Sequence, residues 1–111
     1  MKTIEWHARR IAISVVQGYE EMQKGNQTEF TRIASRAVEQ ALNSICANIQ
    51  DDTQREIMQK KVYESSKYSI KYADMGPIPC GENQFYNYRR DLIRRVAENL
   101  GLINKKSNNH K

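Results

Sequence analysis

Apolar residues recur at three- and four-residue steps along most of the chain, the period of helices buried along one side. Over residues 2–24 the stripe is Ala8, Ile11, Ala12, Val15, Tyr19 and Met22, closed by Gly25-Asn26. Gly18 inside it costs about 1 kcal/mol against alanine, which marks either close helix packing or a weak spot. Over residues 28–49, Phe30, Ile33, Ala34, Ala37, Val38, Ala41, Leu42 and Ile45 share one side, with Cys46 on its border as a small hydrophobe. The short polar link between the two stretches predicts an antiparallel pair. Their joint apolar surface is large for one small domain, which allows a homodimer through helices one and two.

A third helix is expected from Asp51-Asp52-Thr53, where Thr53 and Glu56 have capping-box spacing. The paired aspartates fit a helix N-terminus better than a metal site or acid/base chemistry. This helix runs through Ile57, Met58, Val62 and Tyr63 toward residues 72–74. The period is poor over 63–72, so the helix either frays there or breaks into a short separate helix over 66–74. Pro77 and Pro79 then exclude a continuous helix, Gly76 and Gly81 permit a tight path, and Ile78 is placed to plug the angle.

The strongest helix follows over residues 80–103. Phe85, Leu92, Ile93, Val96, Ala97 and Leu100 form its buried side, Gly101 supplies a left-handed C′ residue, and Leu102 is placed to fold back. At 100° per residue, Asn83, Asn87, Arg90 and Arg94 point the other way, flanked by Gln84 and Arg95. The expected fold is all-α: a small bundle of four to five helices with a C-terminal helix-turn-helix. Its expected organisation is a helical hairpin over 1–50, a DNA-binding region over 51–103 and a disordered basic tail over 104–111.

Charge changes this picture. The 111 residues carry 18 Lys or Arg and 13 Asp or Glu, a net charge of +5. From Gln84 onward there are seven basic residues against Asp91 and Glu98, and before it eleven of each sign, so the whole excess lies in the last quarter. A basic patch on one helix and its tail fits polyanion binding, and equally a solvated helix and tail that keep a small protein soluble. No apolar run is long enough to span a membrane and no signal peptide is visible, so a cytoplasmic location is expected. Two cysteines without paired spacing and two isolated histidines, His7 and His110, support no disulfide framework, zinc site or cofactor. With no Ser/His/Asp, metal-ligand or glycine-rich phosphate pattern, an enzyme is not expected.

The run of Ile78, Cys80-Gly81, Phe85-Tyr86, Tyr88-Arg89-Arg90, Leu92-Ile93 and Val96-Ala97-Glu98-Asn99-Leu100-Gly101 resembles the C-terminal segment of the RinA and ArpU families. These are late-transcription regulators of phages and prophages of Gram-positive bacteria, ending in a helix-turn-helix similar to sigma-factor region 4. The resemblance implies a sequence-specific DNA-binding activator of late phage genes, with double-stranded DNA as partner and RNA polymerase as a candidate partner. It covers about the last third of the chain. The family carries a serine or threonine cap where Cys80-Gly81 stand here.

Side-chain chemistry assigns the roles. Asn83, Gln84 and Asn87, in the first turns, can pair with adenine N6 and N7 in a major groove. Arg90 and Arg94 can reach a guanine or a phosphate, while Arg95, Lys105 and Lys106 suit phosphate. Arg89 falls near Phe85 and Leu92, so its stem is expected to pack while its head snorkels or meets a carboxylate. Tyr86 and Tyr88 read as core-edge residues, and Cys80, beside the positive helix end, as a thiol of lowered pKa. The competing reading is a helical interaction module (adaptor, inhibitor or small packaging subunit), kept open by the charge-neutral hairpin of helices one and two.

Overall fold

The computed structural model describes residues 3–105. Among these the chain is all-helical, with five α-helices, one 3-10 turn and no strand. None of its helices is long and apolar enough to cross a membrane.

Helix α1 spans Ile4–Gln17, started by Thr3, whose hydroxyl accepts from the Trp6 amide at 3.0 Å. The continuous helix expected over 2–24 is instead bent at Gly18, beyond which α2 runs over Tyr19–Lys24. The bend is slight, since the Gly18 and Met22 amides still bond to Ser14 and Gly18 carbonyls at 3.0 and 2.9 Å. A β-carbon on Gly18 would meet Ser14 O at an ordinary 3.5 Å, so the glycine marks a weak spot rather than a close crossing. The bend turns Tyr19 and Gln23 toward Glu39, and all three join in hydrogen bonds of 3.1 to 3.2 Å.

Helix α3 spans Glu29–Ser44 behind a reciprocal cap between Thr28 and Thr31. It ends five residues before the expected position 49. Ile45 is extended and Cys46 left-handed (φ 63°), a turn that drives both side chains into the core. An apolar pair that reads as two more helical positions is thus the plug of a chain reversal. Of the expected stripes, Ile11, Phe30 and Ile33 stay exposed.

Helix α4 spans Asp52–Tyr68. Its cap is Asp51, which accepts from the Gln54 amide at 3.0 Å, and not Thr53; Asp52 pairs with Arg55. The helix stops at Ser69 (φ 57°), short of the expected 72–74. Ser65 closes the end, its carbonyl accepting from Ser69 and Ile70 and its hydroxyl donating to Ile70 O at 2.6 Å. No separate helix forms over 66–74; only the 3-10 turn Tyr72–Asp74 does.

The connection to α5 is tied down rather than loose. Tyr72 donates to Cys80 O at 2.6 Å and its amide donates to the Tyr86 hydroxyl at 2.8 Å, while Lys61 reaches Met75 O at 3.2 Å. Met75 is buried, and Ile78 packs half-buried against the same core.

Helix α5 spans Glu82–Asn99 and packs against α1, α3 and α4. Phe85, Leu92 and Val96 are fully enclosed, and Tyr88, Ile93 and Ala97 nearly so. One cluster joins these residues to Ala12, Val16, Val38, Ile45, Met58 and Val62, so all four long helices share a core. Gly101 (φ 78°) closes α5 as expected, with the Leu102 amide bonded back to Ala97 O at 2.9 Å.

Candidate nucleic-acid interface

Because α5 buries Phe85, Tyr88 and Leu92 on three neighbours, its first half turns the opposite residues outward. Asn83, Gln84, Asn87 and Arg90 are all exposed. Arg90 donates to Asn87 Oδ1, so the amide and the guanidinium form one linked polar group. A shallow groove of about 560 Å³ brings Gln84, Asn87, Arg90 and Arg94 together, and Arg9 of α1 forms part of its wall. The start of α5 has Gly81 as its cap, which offers no side-chain hydrogen bond.

Arg94 and Arg95 sit differently from the outward row. Arg94 pairs with Asp91 and with Glu98 Oε2 at 2.6 Å, and Arg95 Nε donates to Asp91 Oδ2 at 2.9 Å. Burial opposes the charge on Arg94, but Glu98 and Asp91 hold it above the usual guanidinium range. Both arginines are half-buried. They line a second, polar hollow with Gln40, Ser44 and Lys105 on the α3 side of the helix. Lys105 is exposed, and Lys106 lies outside the described residues, as do His110 and most of the 104–111 tail.

Arg89 lies over the Tyr86 ring, 5.4 Å from its centroid, and among the described residues no carboxylate bridges it. Burial lowers its pKa, Tyr86 works against that, and nearby Arg9 adds to it. Tyr86 sits at the core edge, its hydroxyl accepting from the Tyr72 amide, whereas Tyr88, expected there too, is buried, its hydroxyl donating to Asn48 Oδ1 at 2.9 Å. Cys80 departs from the sequence expectation, since burial raises its thiol rather than the helix end lowering it. Burial likewise pushes the Cys46 thiol up to about 12, leaving it an inert apolar group. His7 stacks edge-on against Trp6 on the surface. Among the described residues no His, Cys, Asp and Glu cluster could hold a metal ion.

Arg9 is the residue sequence reasoning missed. It sits on the polar side of α1, and nothing in its local sequence signals that α1 packs beside α5. The pairing of Asp91 with Arg95 and of Arg94 with Glu98 did have a signal, their four-residue spacing. No family model, curated protein or solved structure matches the chain.

Proposed function

We propose that the protein binds double-stranded DNA in a sequence-specific way, as a transcriptional regulator of late phage or prophage genes. The observation that carries this reading is the exposed row Asn83, Gln84, Asn87 and Arg90 on the first half of α5, backed by a rigid core and flanked by Arg9. Amides at the start of a well-supported helix can read adenine, and an arginine one turn on can read guanine. The C-terminal resemblance to the RinA and ArpU families supports the same assignment, with RNA polymerase as the further partner an activator would meet.

In this reading α4 and α5 are the two helices of the DNA-binding unit. Residues 69–81 join them by a longer path than the three- or four-residue turn of a compact helix-turn-helix. Tyr72 and Tyr86 brace that path, so α5 is held at a defined angle despite its length. Arg94 and Arg95, already paired on their own helix, are secondary contributors, and Lys105 is a phosphate contact.

The test is a gel-shift series on duplex promoter DNA against rising salt. With about four phosphates neutralised per subunit, log affinity against log salt should fall with a slope of about −4. Asn87→Ala with Arg90→Ala should abolish discrimination between sequences; unchanged discrimination would reject this reading face.

A specific observation also favours the interaction-module reading. Phe30 is 61% exposed and Ile33 51% exposed, both on α3. Apolar side chains so placed suit contact with a second copy, which a dimeric DNA-binding protein also needs.

A further inference from the structure

Three arginines converge on a cleft of about 220 Å³ between α1, the end of α4 and α5: Arg9, Arg89 and Arg90. Ser66 and Ser69 line it from the α4 side. These three differ from Arg94 and Arg95 of α5 in one respect. Arg94 and Arg95 each hold a carboxylate, whereas among the described residues no ion pair reaches Arg9, Arg89 or Arg90. Arg90 has the neutral Asn87 as its partner and Arg89 the face of Tyr86.

A second, independent observation points the same way. Ser66 is 6% exposed, and its hydroxyl is buried without any hydrogen-bond partner. Buried hydroxyls are nearly always paired, because an unpaired one has lost its water and gained nothing. Ser66, with its unpaired hydroxyl, and three cations without a carboxylate partner line one cleft. The carbonyl end of α4 lies nearby, where Ser65 O accepts from the Ser69 and Ile70 amides.

We propose that this cleft is a phosphate-binding site, with Arg9, Arg89 and Arg90 as charged donors and Ser66 as a neutral one. Guanidinium forks match phosphate oxygens two at a time, and several of them around one dry hydroxyl suit a tetrahedral oxyanion better than a flat carboxylate. The volume accommodates a phosphoryl group and its immediate waters. An anion here would offset the burial that disfavours the charge on Arg89 and the like charge of Arg9 beside it. The phosphate could be free or belong to a DNA backbone; Arg90 and Arg9 line both the cleft and the groove beside Asn87, so a backbone phosphate held here would set the register of the duplex.

The experiment is a titration of the full chain with sodium phosphate at constant ionic strength, followed by amide and arginine side-chain NMR shifts. Saturable shifts are expected at Arg9, Ser66, Arg89 and Arg90, with Arg55 unmoved. Arg9→Ala, an exposed change that leaves the core intact, should weaken phosphate binding about tenfold. Ser66→Ala should fold at least as stably as the parent, because it removes an unpaired hydroxyl, and yet bind phosphate more weakly. Uniform shifts at all arginines, or parent affinity in both variants, would overturn the site. Duplex DNA that competes with phosphate identifies the backbone as its source. Phosphate binding with no duplex binding at all would support this site while rejecting the DNA reading.

Discussion

Arg95 Nε donates to Asp91 Oδ2 at 2.9 Å, one turn back on α5, and the same carboxylate pairs with Arg94. One acid therefore restrains two of the four arginines on the helix, and the basic face of α5 is divided. Its first half presents uncompensated charge, while its second half is internally balanced.

Removing that acid should extend the basic face. Asp91→Asn is expected to raise DNA affinity and to steepen the salt dependence by about one unit of slope, as a freed arginine takes up another phosphate. Gel shifts of parent and variant over one salt series measure both. An unaltered slope would mean that Arg94 and Arg95 never approach the backbone.

The joint between α2 and α4 should respond to pH. Lys67 Nζ lies 2.7 Å from Glu20 Oε1, and that hydrogen bond holds Glu20 below its usual 4.5, against opposing burial. A depressed carboxylate stabilises the fold above its unfolded value and loses that contribution as pH falls through the folded one. Stability should therefore drop below about pH 4.5 in the parent and less steeply in Glu20→Gln. At the alkaline end, burial first, then Glu39 for Tyr19 and Glu20 for Tyr63, raise both phenols from 10.0 to about 12. They ionise first in the unfolded chain, so stability should fall again as pH rises from 10 toward 12. Denaturant midpoints across pH provide the readout.

Two glycines should behave oppositely. Gly18 has φ −94° and room for a β-carbon, so Gly18→Ala should raise stability by about 0.5–1 kcal/mol. Gly101 has φ 78°, which a side chain resists, so Gly101→Ala should lower it by about 1–2 kcal/mol. Thermal melts of the two variants separate a tolerated bend from a required left-handed residue.

The core of α5 should dominate stability. Phe85→Ala removes a fully enclosed ring and should cost about 3–5 kcal/mol. Tyr88→Phe loses only the bond to Asn48 and should cost about 1 kcal/mol. If urea denaturation ranks them the other way, the stated packing of α5 is wrong.

The exposed apolar pair on α3 makes a prediction about assembly. The parent should sediment as a dimer and Ile33→Glu as a monomer with unchanged helix content, since Ile33 is half out of the core already. A monomeric parent would leave Phe30 and Ile33 without this role.

Most of the buried side of α5 was legible, because Phe85, Leu92 and Val96 keep a strict helical period and Gly101-Leu102 is a local closing signal, although Tyr88 is buried and Leu100 only partly so. So was the outward direction of Asn83, Asn87 and Arg90, which follows from the same period. The end of α3 was not, since Ile45 and Cys46 look like two more apolar helix positions until the chain turns to bury them. Nor was the grouping of Arg9 with Arg89 and Arg90, although all three residues are plain in the sequence.

By itself, then, the sequence determined where helices form and which side of each is apolar, because those depend on neighbours three and four positions away. Only the tertiary structure decided that α5 packs against α1 and α3 alike, bringing Arg9 beside Arg90 and leaving Ser66 dry between them. That choice rests on how well distant apolar surfaces fit together, a contest among alternatives that no local spacing encodes.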